Sequence, residues 1–216
     1  MKAALFDCDG TMLDSMPMWL NLATDVLASY GVKIPREVER QTACMSHLDA
    51  SKFYADYFFE GEHVEALRRS FSDHLYHAYH DELCLKPGVR ELLDALHARG
   101  IPMAVASSTD ESLLLNCFDR LNLRGYFKFI QTVDNSGHSK DSDAYFDLAA
   151  RSFGMAPGEI VLFDDALYAL ERARRCGFVT VAVEDITNED QMEEIRTAGD
   201  YFVSHADQVD VEALFD

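Results

Sequence analysis

The chain has 216 residues, 48% of them hydrophobic, and a formal net charge of −19. That length and apolar content suit one α/β domain carrying an inserted subdomain. An acidic balance with no basic stripe excludes a nucleic-acid or acidic-membrane partner, but not a small phosphate, because salt screens distant charge over about 8–10 Å.

The first predicted element is a buried strand, Ala3 to Phe6, which stops at two carboxylates one residue apart, Asp7 and Asp9, followed by Gly10 and Thr11. Gly10 lets the backbone turn sharply, so Asp9 need not project beside Asp7. From about Met16 to Glu82 the apolar spacing is helical. Trp19 to Tyr30 forms one helix, closed by Gly31 and Pro35. Val38, Thr42 and Met45 mark a short one, Phe53 to Phe58 another, and Val64 to Ala78 a longer one ending near Asp81. Four helices inserted after the first strand predict a small antiparallel bundle acting as a lid.

Pro87 and Gly88 mark the return to a βα rhythm. Helices are predicted over Val89 to Ala98, Glu111 to Leu121, Asp141 to Phe153, Leu167 to Cys176 and Asn188 to Ala198. Strands are predicted over Ile101 to Ala106, Phe127 to Thr132, Ile160 to Phe163 and Phe178 to Val183, with a last strand and helix behind them. The alternation predicts an α/β fold, a doubly wound Rossmann-like parallel sheet with ligands at the carboxyl ends of its strands. The expected division is a catalytic core, 1–15 and 83–216, and a helical cap, 16–82.

The chemistry-bearing residues stand at the predicted strand ends. Two carboxylates in different environments can divide the work of metal binding and nucleophilic attack from that of proton transfer. Ser107 and Ser108 precede a helix, where hydroxyls and free backbone amides can cradle phosphate. Lys140 supplies a compact cation of the kind a transferring phosphoryl group needs. A second burst of acid, Asp164 and Asp165, ends the strand EIVLF.

FDCDGTMLDS resembles the first motif, DxDGT, of the haloacid dehalogenase-like superfamily, in its phosphatase and phosphomutase branch with a helical cap; Ser107, Lys140 and the pair Asp164–Asp165 resemble the three later motifs, in order. The resemblance implies a magnesium-dependent phosphatase acting on a small phosphorylated metabolite through an aspartyl-phosphate. Asp7 would be the nucleophile, Asp9 the general acid and base, and Lys140 the charge stabiliser. Thr11, Ser107, Ser108 and Lys140 would bind the phosphate, and Asp7, Asp9, Asp164 and Asp165 would form the metal set, with Asp164 bound more loosely or through water. Two departures stand out. The usual KPxPD reads Lys140, Asp141, Ser142, Asp143, Ala144, so the rigid helix start is lost and Asp141 or Asp143 can compete for the ammonium. The serine usual after the acid pair is Ala166.

Dehalogenases of the family lack an acid at the position of Asp9, and phosphonate hydrolases need a cap lysine, for which only Lys33 and Lys52 offer themselves. A sugar phosphomutase of the beta-phosphoglucomutase type is the competing activity, but its relatives carry a cap histidine where this chain has Trp19 and a cationic loop where it has CMSHLDAS. A catalytically silent module binding a phosphorylated ligand or a protein is the reading from another class. The five cysteines, Cys8, Cys44, Cys84, Cys117 and Cys176, have no CxxC spacing and read as reduced thiols of a cytoplasmic protein. Asp7 breaks the first apolar run too early for a secretory signal, and no apolar stretch approaches membrane-spanning length. His74, His77 and His80 recur every third residue, a spacing that spreads them around a helix and cannot close on one ion. Met16, Met18, Trp19, Met45 and His47 are read either as bundle core or as cap residues facing the site.

Overall fold

Ala3–Phe6 forms strand β1, wholly buried as a run of Ala, Ala, Leu and Phe must be when helices cover both faces of a sheet. The structure, a computed structural model, describes residues 1–42 and 47–215. Helices α1 (Met16–Ala28), α2 (Arg36–Thr42), α3 (His47–Phe59) and α4 (Val64–His77) follow, then α5 (Val89–Ala98), β2 (Met103–Ser107), α6 (Glu111–Arg120), β3 (Phe127–Thr132), the single turn α7 (Val133–Ser136) and α8 (Asp143–Phe153). The chain continues through β4 (Ile160–Asp164), α9 (Leu167–Arg175), β5 (Val179–Val183), α10 (Met192–Ala198), β6 (Tyr201–Val203) and α11 (Val211–Phe215). Among the described residues no helix is long and apolar enough to cross a membrane.

Among the described residues, six strands form one parallel sheet in the order β3-β2-β1-β4-β5-β6. This is the doubly wound arrangement that the βα alternation predicts. The order reverses direction between β1 and β4, and at that switch point the flanking connections leave to opposite sides and open a crevice at the carboxyl ends. The two strands are locked in register, Phe6 opposite Phe163, with their rings stacked at 4.6 Å. Beneath them Leu5, Ala104, Tyr145, Phe146, Ile160, Leu162 and Phe178 pack in one buried cluster. Apolar pairs of this kind hold the register, because a one-residue slip would turn the buried set to the wrong face.

The chain divides into two compact units, Met1–Met16 with Leu83–Asp216, and Pro17–Glu82. The second is helical and has its own interior. Tyr54 stacks on Phe71 at 6.1 Å, the Tyr30 and Ser70 hydroxyls lie 2.9 Å apart, and the Trp19 indole donates to the Tyr79 hydroxyl at 3.1 Å. Trp19 is thus tied into its own unit. Met45, and the side chain of His47, lie outside the described residues.

One local feature departs from the sequence expectation. The long fourth helix passes into a π-helical turn, Ala78–Glu82, where helical spacing alone gives no sign of a change in pitch. Asp81 there accepts from both His77 and His80, at 3.2 and 2.8 Å. Two of the three regularly spaced histidines are therefore partners of one exposed carboxylate, whose pKa they lower.

Candidate active site

The acids delivered by β1 and β4 meet. Ligand atoms of Asp7, Asp164 and Asp165 lie within 4.8 Å of one another, and the three residues are 6%, 0% and 4% exposed. Burying carboxylates this close is costly unless cations accompany them. One does. Lys140, 3% exposed, places its ammonium 2.5 Å from Asp7 Oδ1 and 2.7 Å from Asp164 Oδ2.

The competition expected from Asp141 or Asp143 does not divert the ammonium. Asp143 is engaged by Arg172 at 2.8 Å and by Arg175 at 3.2 Å, so two arginines from α9 occupy it at the surface. The lost prolines are replaced by a turn closed by the Ser142 amide, which donates to the Ser139 carbonyl at 2.9 Å, and by the Ser142 hydroxyl, which donates to the same oxygen at 2.6 Å. Hydrogen bonds here do the work of rigid φ angles.

Three carboxylates against one ammonium leave the cluster short of positive charge. Burial, opposed by Lys140 and reinforced by Asp164 and Asp165, holds Asp7 well above the usual carboxylate range. Burial, with the neighbouring Asp164, pushes Asp165 up to about 7. Burial also opposes the charge on Lys140, but Asp164 and Asp7 outweigh it and keep the lysine protonated. Asp164 Oδ1 accepts from the Ala166 amide. Its Oδ2, near Lys140 but outside hydrogen-bonding geometry, has no hydrogen-bond partner, so that contact is charge attraction and a buried lone pair stays open. Clustered hard oxygens, surplus negative charge and an unused acceptor fit a hard divalent cation held by Asp7, Asp164 and Asp165.

Asp9 is not in that cluster. β1 has ended at Phe6, Gly10 turns the backbone at φ 82°, and the Asp9 carboxylate accepts from the Thr109 hydroxyl at 2.7 Å. Thr11, read as a phosphate ligand, donates its hydroxyl to Asp165 Oδ1 at 2.9 Å. Ser107 is buried at the end of β2, one strand over from Asp7, with its hydroxyl accepting from the Thr109 amide at 3.1 Å. Ser108 is exposed. The Cys8 thiol lies buried between the two aspartates; burial first, then Asp9 and Asp7, raise its pKa well above the ordinary thiol value, which removes it as a nucleophile.

Four residues not singled out in the sequence join the neighbourhood. Thr109 holds Asp9. The Asn188 amide donates to Asp165 at both Oδ2 and the backbone carbonyl. Lys86, half of an unremarkable Lys-Pro pair, donates to the Gly10 carbonyl and to Asp185. Only Thr109, inside the SSTD run, carried a sequence signal.

Gly10 admits no side chain. A Cβ there would lie 2.6 Å from Asp165 Oδ2, in a left-handed conformation that already disfavours other residues. Gly10→Ala is expected to lower stability by about 1–3 kcal/mol in chemical denaturation, and to displace the Asp165 carboxylate.

Three buried aspartates and a lysine thus converge at the switch point of a parallel sheet on an α/β core. Residues 4–183 match the family of haloacid dehalogenase-like hydrolases, and the chain belongs to that family. It is 24% identical to a phosphorylated carbohydrates phosphatase of Thermotoga maritima, over 82% of each chain. It is 28% identical to the fructose-1-phosphate phosphatase YqaB of Escherichia coli, over 83% of this chain and 94% of that one. In fold it resembles the crystal structure of CbbY from Rhodobacter sphaeroides in complex with phosphate, with a TM-score of 0.78 at 20% identity over 97% and 96% of the two chains.

Proposed function

We propose that this protein is a magnesium-dependent phosphatase that hydrolyses a small phosphomonoester through an aspartyl-phosphate on Asp7. The observation that carries the reading is the buried convergence of Asp7, Asp164 and Asp165 around Lys140. The phosphatase names of the relatives favour a phosphorylated sugar or a molecule of similar size.

In this reading the Asp7 carboxylate attacks phosphorus and the P–O bond to the leaving alcohol breaks. Asp9, protonated, gives its proton to the departing oxygen, then as carboxylate takes a proton from the water that cleaves the aspartyl-phosphate. Thr109 holds Asp9 apart from the Asp7 cluster, so the two acids keep different environments and different roles. Lys140, beside Asp7, offsets charge on the transferring group, and Ser107 with Ser108 receives its oxygens at the end of β2. Magnesium held by Asp7, Asp164 and Asp165 would supply further charge neutralisation at the phosphoryl oxygens. Residues 1–15 and 83–216 serve as the catalytic core of a cytoplasmic enzyme, and 16–82 as a cap that selects the substrate.

Inorganic phosphate release from a panel of phosphorylated metabolites, with magnesium and with a chelator, tests this. Turnover of at least one sugar phosphate is expected, falling more than about 100-fold under chelation and returning with added magnesium. No phosphate release from any ester in magnesium would favour a silent binding module, and conversion to an isomeric phosphate without release would favour a mutase.

A further inference from the structure

We infer that Lys86, Asp185 and Asn188 form a bracket that positions Asp165, with Asn188 the member that sets its metal-binding geometry. The inference rests on the phosphatase reading above.

Asp165 follows Asp164 directly, just past the end of β4, and its carboxylate is held from two sides. Thr11 restrains Oδ1. The Asn188 amide donates at 3.0 Å to Oδ2 and at 3.1 Å to the backbone carbonyl of the same residue. One group that grips both the main chain and the carboxylate fixes the side-chain rotamer, which a single contact to the carboxylate leaves free to swing.

Asn188 is held in turn. It lies in the short helical segment Ile186–Gln191 with a non-helical backbone, φ −103° and ψ 18°. Asp185, 4% exposed, caps that segment through Oδ1, which accepts from the Thr187 amide at 3.0 Å and hydroxyl at 2.7 Å. Its other oxygen pairs with Lys86 Nζ at 2.9 Å. Lys86 spends its two remaining donors on the Gly10 carbonyl, at 2.6 Å, and the Glu184 carbonyl, at 2.8 Å. Gly10 is the residue whose backbone packs against the Asp165 carboxylate. The path closes: Gly10 to Lys86, Asp185, Thr187 and Asn188, then Asp165, Thr11 and back to Gly10.

A lysine with its three donors satisfied inside the protein lends little charge to the surface. Here it ties the loop after β1 to the loop after β5, across the acid that stands between them. Partners of this kind, which orient a ligand without touching the metal, typically govern affinity by about 10–100-fold.

Calorimetric titration of the full chain with magnesium, without substrate, is the test, run beside thermal unfolding for the wild type, Asn188→Ala and Asn188→Asp. Both variants are expected to raise the magnesium dissociation constant at least about tenfold while unfolding within a few degrees of the wild type. In turnover assays the magnesium half-saturation point rises with it, and the substrate KM at saturating magnesium stays put. Wild-type affinity in both variants overturns the inference and leaves the phosphatase reading intact. Loss of affinity only in step with loss of the folding transition overturns it as well, by making Asn188 a stability residue. A wild type that turns over phosphate esters but takes up no magnesium overturns the inference and the metal requirement while sparing the hydrolase, and one that does neither overturns both readings.

Discussion

Asp7→Asn is expected to lower kcat for phosphate release by at least about 10⁴-fold while leaving the protein folded. The two side chains have nearly the same shape, so packing at the end of β1 survives and Lys140 can still donate to the amide oxygen. On the proposed mechanism, what disappears is the anionic oxygen that would form the bond to phosphorus, and an amide is a poor substitute. Removing one carboxylate from a cluster with surplus negative charge also relieves repulsion, since Asp164 and Asp165 both work against the ionisation of Asp7. A thermal transition equal to or above that of the wild type should therefore accompany the loss of turnover. Mass spectrometry of acid-quenched reactions checks the chemistry directly: a phosphoryl adduct on the wild type and none on the variant. Full activity in the variant would remove Asp7 as the nucleophile.

Lys140→Met is expected to damage both activity and stability. Withdrawing one charged donor from a transferring phosphoryl group costs about 10²–10³-fold in kcat. Breaking a buried ion pair by removing one partner costs about 3–5 kcal/mol, a range that applies undiluted because Lys140, Asp7 and Asp164 are all almost fully buried. Methionine fills the volume of the lysine stem, so the loss reports charge and not a cavity. Chemical denaturation with and without magnesium measures it, and the deficit should shrink when the ion is added. If the variant proved as stable as the wild type and kept its rate, the cluster would not depend on its cation.

Much of this candidate site was legible because apolar runs stop at acidic residues. Ala3 to Phe6 ends at Asp7 and Ile160 to Phe163 ends at Asp164, so the apolar runs mark two strands that finish in acid; only the family resemblance brought those acids to one ion, and the pairing of β1 with β4 in register is seen in the structure. The surroundings were not legible, since they depend on residues far apart in the chain. That Asp143 leaves Lys140 alone follows from arginines 29 and 32 positions downstream. Thr11 reads equally well as a phosphate ligand or as the carboxylate's hydrogen-bond donor until the Asp165 side chain is placed beside it. Asn188 stands at the start of the stretch read as a helix to Ala198, whereas the α-helix begins only at Met192 and Asn188 lies in the short helical segment before it, with nothing local to mark its amide as the partner of Asp165. The π-helical turn at Ala78–Glu82 is invisible for a related reason: a change of hydrogen-bond register barely alters the apolar spacing.

The thiol of Cys8 has a practical consequence. Peroxides and alkylating reagents attack the thiolate, and a thiol enclosed by the core and flanked by two carboxylates forms almost none. Sulfur can therefore sit in the chain between Asp7 and Asp9 without being open to attack there. Among the described residues, electrophiles will find the exposed Cys84 instead.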